Sequence, residues 1–151
     1  MPEDCRKKRI AARAAEMAQS GQYNYARCLK RGQEGAGIMA LSDFVKSASE
    51  MIYLLNRKHM PYYKWMFKGM EAVPKLADMR EPLEFLLTSD NDLAGRMTKS
   101  GVIEDICAAV IKELKAQNLS SGSWDYMEPH AFEIMERIED PEIRAMHIME
   151  G

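Results

Sequence analysis

Cysteine is scarce in this chain. Cys5, Cys28 and Cys107 are an odd number, widely spaced, with no Cys-x-x-Cys pair. That excludes a disulfide framework or a structural zinc site as the main stabiliser, and points to a reducing, cytoplasmic compartment. Long apolar runs are also missing: no stretch approaches the roughly 20 apolar residues that a spanning helix needs, so no membrane partner is expected. The opening residues Met1–Arg9 offer no apolar segment of the kind a secretory signal uses. Sustained apolar–polar alternation bounded by hairpin turns is absent, which argues against a sheet. There is no Gly-x-Ser-x-Gly, no P-loop and no dinucleotide fingerprint, so no cofactor is expected.

What is present fits one folded domain. The chain has 151 residues, 46% of them hydrophobic and 29% charged, enough for a closed core over 1–151. Apolar residues recur at helical spacing nearly everywhere. A first helix is expected from about Glu3 to the Gly21 region, with Ile10, Ala14, Met17 and Ala18 on one face and Arg6, Arg9 and Arg13 on others. Ser20-Gly21 is a point of interruption, and the pattern resumes over Tyr23–Lys30. The clearest seam is Ile38, Leu41, Val45, Ala48, Ile52 and Leu55, a central helix expected to stop near Lys58 or His59, ahead of Pro61. Pro61 suits the first turn of a short third helix ending near Gly69. Short helices are expected around Pro82–Leu87, and a strong one over Val102–Ala116. Asn118–Ser123 reads as a loop. Another helix follows over Glu128–Glu139 with Phe132, Met135 and Ile138 inward, and a restart at Asp140-Pro141-Glu142. The predicted fold class is all-α: a bundle of four or five main helices with short accessory ones.

The net charge of −2 conceals an asymmetry. Residues 1–80 hold 15 Lys/Arg against 8 Asp/Glu, and residues 81–151 hold 6 against 15, so the halves carry +7 and −9. Either the halves pair their charges within one bundle, or the basic half attracts phosphates and the complementarity drives homo-oligomers.

The chemistry-bearing types concentrate in two segments of the basic half, Gln22–Arg31 and Asn56–Trp65. Five of the twelve aromatics fall between Tyr53 and Phe67, among Arg57, Lys58, His59, Lys64 and Lys68. Aromatic faces stack on bases and cations hold phosphates; the plainer expectation is that these rings are core and the lysines solvated. Arg27, Arg31 and Arg57 lie on helices that read as largely buried, where an arginine needs an acidic partner or an anionic ligand. Other apparent motifs fail. Asp90-Asn-Asp92 resembles a calcium loop, but Gly101 stands where a bidentate Glu is required. Gly122-Ser123 with Asp125 reads as a turn. His130 with Glu133 and His147 with Glu150 are lone i,i+3 pairs, too few ligands for a metal. Cys28, beside Arg27 and Lys30, reads as a buried inert thiol.

Three blocks, Gln22-Tyr23-Asn24-Tyr25 with Arg27 and Arg31, Leu54-Leu55-Asn56-Arg57, and Met60-Pro61-Tyr62-Tyr63-Lys64-Trp65, resemble a bacterial family built on a domain of unknown function. The ending Ile143–His147 is similar too. In that family the region is the C-terminal helical part of a larger nucleotidyltransferase-like protein. The resemblance implies a separate catalytic domain, with its Gly-Ser loop and metal-binding aspartates, as a partner; this chain carries neither motif. It also implies a fold resembling the helical domain of aminoglycoside-type nucleotidyltransferases, which forms one wall of the active site and helps hold the acceptor. A related helical ribonuclease pattern, Arg followed by four to six residues and His, fits none of His59, His130 or His147.

Two functional expectations follow. In the first, the chain is an accessory substrate-binding module, with no activity of its own expected. Gln22, Asn24, Arg27, Arg31, Asn56, Arg57, Tyr63 and Lys64 line one polar groove for an anionic small molecule or nucleotide. In the second, it is a structural or protein-interaction module, and the same residues form an internal polar network.

Overall fold

The computed structural model describes residues 1–151, which contain helices and no strand. The order is α1 (Glu3–Met17), a π-helical turn (Ala18–Asn24), α2 (Tyr25–Lys30), α3 (Glu34–Leu55) and α4 (Tyr63–Met70). After a short 3-10 turn (Ala77–Met79) come α5 (Arg80–Thr88), α6 (Leu93–Ala116), α7 (Met127–Glu136) and α8 (Pro141–Arg144). The expected all-α class is what the chain adopts.

α1 lies between α3 and α7, and α3 packs in turn on α2, α5 and α6. α1 and α3 run antiparallel, and side-chain pairs fix their register. Arg6 meets Leu54, Arg13 meets Glu50, Glu16 meets Ser47, and Gly21 faces Phe44. Further on, Gly37 faces Leu29. Phe44, Met51 and Ile52 on α3 are fully buried, each worth roughly 1.5–3 kcal/mol of transfer free energy.

The helix that the sequence breaks at Ser20-Gly21 does not break. It widens into a π-turn and continues as α2, with helical dihedrals at Ala18, Asn24 and Tyr25. Gly21 explains why a glycine stands there, since a Cβ on it would enter the Phe44 ring.

Four expectations are corrected. α3 ends at Leu55, not near His59, because Arg57 takes φ 56° and turns the chain out of the helix. α4 begins at Tyr63, so Pro61 precedes it. α6 begins at Leu93, capped by Asp92, whose side chain accepts from Gly95 N. Phe132 points outward, 53% exposed, while His130, Ala131, Ile134 and Met135 face in. Asp140 caps α8 as expected, accepting from the backbone N–H groups of Glu142 and Ile143.

Candidate functional site

The C-terminal end of α3 is built around an arginine that the sequence placed outside the core. Arg6 is 3% exposed. Its Nε donates to Leu54 O at 2.9 Å, one Nη to Glu3, and the other to the side-chain oxygen of Gln117 at 2.6 Å. Gln117 in turn donates to Leu55 O, and Asn56 donates to Ile52 O. Lys58 N donates to Tyr53 O. All four terminal carbonyls of α3 are therefore satisfied, three of them with help from a side chain. Burial, and next the charge of Arg57, pull the Arg6 guanidinium below its ordinary pKa; Glu3 works the other way. For Glu3, burial pushes up, but hydrogen bonding and charge from Arg57 and Arg6 outweigh it and hold the carboxyl below its usual range.

This buried core of the end is roofed by an exposed basic surface. Arg57 pairs with Glu3 at 2.8 Å, its side chain 63% exposed. Arg6, Arg57, Lys58 and His59, with Met1 and Leu54, line a concavity of about 220 Å³. Next to it in sequence, Tyr62, Tyr63 and Trp65 are 66%, 72% and 54% exposed, so these rings are not core. Tyr53 alone of the cluster is a buried aromatic, donating to Met66 O. The Tyr62 and Tyr63 centroids lie 4.4 Å apart, and Lys64 Nζ sits 5.8 Å from the Trp65 ring centroid.

The eight residues expected in one groove divide between the two ends of α3, a helix of 22 residues and about 33 Å. Asn56, Arg57, Tyr63 and Lys64 lie at or beyond its C-terminus. Gln22 and Asn24 lie on the π-turn, Arg27 on α2 and Arg31 just past its end, beside the N-terminal half of α3. A single groove lined by all eight is thus not formed, since the register of α1 on α3 sends the two blocks to opposite ends. Nor are the three arginines buried: Arg27, Arg31 and Arg57 are all exposed. Two of the eight also hold structure. Gln22 donates to Asp125 O and Glu104 and accepts from Met127 N, tying the π-turn to the start of α7. Asn56 both donates to and accepts from the Lys75 backbone, fixing the segment after α4. Arg27 donates to the Tyr23 hydroxyl at 2.6 Å and lies over its ring.

One constellation escaped the sequence reading. Ser120 Oγ meets His130 Nδ1, and His130 Nε2 donates to Trp124 O at 2.7 Å. Spacing gave no signal, because the serine lies in a loop and the histidine on a helix. The pair resembles a nucleophile and its base, but Ser120 is 2% and His130 0% exposed. The neighbouring N–H groups of Ser121 and Gly122 are taken by the Glu133 carboxylate. No acyl group has room to approach, so this cluster clamps the loop onto α7. Burial pushes the Glu133 carboxyl up, but the hydrogen bonds from Ser121 and Gly122 and the charge of Arg137 outweigh it, and its pKa is lowered. Cys28 is partly exposed; the buried thiol is Cys107, whose pKa burial raises.

Comparison with known proteins matches residues 1–66 to the family model of a domain of unknown function, DUF4037. The matched stretch runs from α1 to the first turn of α4 and contains both chemistry-bearing segments. No curated protein and no solved structure matches the chain.

Proposed function

We propose that the chain is an accessory helical module of a nucleotidyltransferase-like protein, and that its basic end holds a phosphate-bearing ligand such as a nucleotide. The observation that carries this reading is the segment Arg57–Trp65, in which Arg57, Lys58, His59 and Lys64 are exposed together with Tyr63 and Trp65, with Glu3 the acidic group paired to Arg57. Exposed aromatic rings cost apolar surface in water and gain when a base stacks on them; neighbouring cations then meet the phosphates. The link to a nucleotidyltransferase-like partner rests on the sequence resemblance of the matched segments. Fold-level analogy alone would not supply it.

A second reading, a structural or protein-interaction module, is favoured by one specific observation: Gln22 and Asn56 are engaged by the backbone of distant segments, and Arg57 by the Glu3 carboxylate at the surface. A thermal-shift titration with magnesium nucleoside triphosphates separates the two. A ligand at about 100 times its Kd adds about 2.7 kcal/mol of stability. The proposal expects a salt-sensitive upward shift that disappears in the Lys58→Ala/Lys64→Ala double variant, whose own melting is unchanged. No shift with any nucleotide would favour the second reading.

A further inference from the structure

At the other end of α1 lies a groove of a different kind. Ala15 and Gln19 of α1 and the π-turn form its floor, with Tyr23, Tyr126, Phe132 and the tail residues Ile148 and Met149 as walls. Its volume is about 380 Å³, within the range of small-ligand sites. The three rings are 49%, 37% and 53% exposed. The one charged residue in the lining is Glu128; no Lys, Arg or His contributes.

The walls are pinned. Gln22 bonds the backbone on both sides of Tyr126, at Asp125 O and Met127 N, and so sets that ring beside the π-turn. Lys8, itself 3% exposed, donates to the carbonyls of Ile148 and Glu150 and straps the tail across α1. Glu128 lies in the first turn of α7, at the rim of the groove. Burial, and then the nearby Glu128 carboxylate, raise the Tyr126 phenol, so it stays neutral and adds no charge.

We propose that this groove binds an organic cation, an ammonium group carrying alkyl substituents. Aromatic faces are negative, the carboxylate at the rim supplies net charge, and the alkyl groups fill the apolar walls. An anion finds only neutral donors there, the Gln19 amide and the Tyr23 and Tyr126 hydroxyls, and no cation in the lining, beside a carboxylate that repels it; a neutral apolar ligand leaves Glu128 unanswered. The same cluster already holds a cation at its edge, where the Arg27 guanidinium carbon lies 5.2 Å from the Tyr23 ring centroid. This inference does not depend on the nucleotide reading of the basic end.

The test is an NMR titration of the full chain, following the ring protons of Tyr126 and Phe132. Three probes are used: choline, its neutral carbon isostere 3,3-dimethylbutan-1-ol, and a short peptide bearing trimethyl-lysine. Choline or the peptide should shift both rings, and the neutral isostere should bind roughly tenfold more weakly. Tighter binding of the peptide assigns the ammonium group to a protein partner, and equal or tighter binding of choline to a free small molecule. Phe132→Leu keeps the apolar surface but removes the π face, and should weaken binding roughly three- to tenfold. Glu128→Gln tests the charge at a fully surface position, should Phe132→Leu disturb folding. Three results would each overturn the proposal. One is no ring shift up to about 10 mM of either cation, a range that covers millimolar affinities. The second is equal binding of the neutral isostere, and the third is unchanged binding in both variants.

Discussion

The two ends of the α1–α3 pair show the same kind of side chain in opposite company. At one end the exposed segment Arg57–Trp65 carries Tyr62, Tyr63 and Trp65 together with Arg57, Lys58, His59 and Lys64. At the other Tyr23, Tyr126 and Phe132 line a groove with Glu128, with Trp124, Glu133 and Glu136 just beyond and the Arg27 guanidinium over the Tyr23 ring. Neither set is needed for the core, which closes through α3 without them. The sequence asymmetry of +7 and −9 thus has a counterpart in space: one aromatic patch belongs to the basic half, and the other draws Tyr126, Glu128 and Phe132 from the acidic half. The difference teaches that exposed rings of the same kind are set in a cationic segment at one end and beside carboxylates at the other. The ends also differ underneath. The basic end is held by one buried arginine, and the aromatic end by backbone hydrogen bonds from Gln22 and Lys8.

The largest expected effect separates those foundations. Arg6→Ala leaves the part-buried Gln117 side-chain oxygen without its donor and Leu54 O with the Arg57 N–H alone, and should cost about 2–4 kcal/mol in urea unfolding. A loss below about 1 kcal/mol would mean that the basic end does not rest on it. Gly21→Ala attacks the π-turn under the aromatic end. Its Cβ meets the Phe44 ring, so about 1–3 kcal/mol should be lost. The double variant with Phe44→Leu should recover part of that; if the losses simply add, the contact is not the cause.

Asn56→Ala removes both hydrogen bonds to the Lys75 backbone and should cost about 1–2 kcal/mol. Hydrogen exchange should quicken over 71–76 while the aromatic end stays protected. Acid sharpens the contrast in the other direction. The Glu133 pKa is lowered from an ordinary 4.5, so its contribution is complete above that value and is lost as pH falls through the folded pKa. The wild type should lose stability below about pH 5, and Glu133→Gln should flatten part of that slope. An identical acid profile for the two proteins would remove Glu133 as the loop clamp. Smallest of all, Trp65→Ala should change stability by no more than about 0.5 kcal/mol, since the ring is exposed. A larger loss would return the basic-end aromatics to the core.

Much of the fold was legible in the sequence because its helices are periodic. Leu41, Val45, Ala48, Ile52 and Leu55 are buried on α3 as their spacing predicts, although Ile38 is 42% exposed near its first turn. Asp140 signalled its cap by chemistry alone. What stayed hidden depends on partners distant in sequence. Nothing local tells that Arg6 will reach Gln117, or that Phe132 will turn outward while His130 turns in to meet Ser120. The π-turn looked like a break because serine and glycine are read as punctuation, whereas the glycine here makes room for Phe44. The candidate site was half legible: the two segments rich in chemistry were visible, but a one-dimensional list does not show that antiparallel packing sends them to opposite ends.

The most direct test of the two-ended account is a backbone amide titration of the full chain with magnesium ATP, read residue by residue. The account predicts saturable shifts confined to Arg57–Trp65 and Arg6, with Gln22–Arg31 and Met127–Phe132 unmoved. Shifts at Gln22–Arg31, or no saturable shift at the basic end, would contradict it.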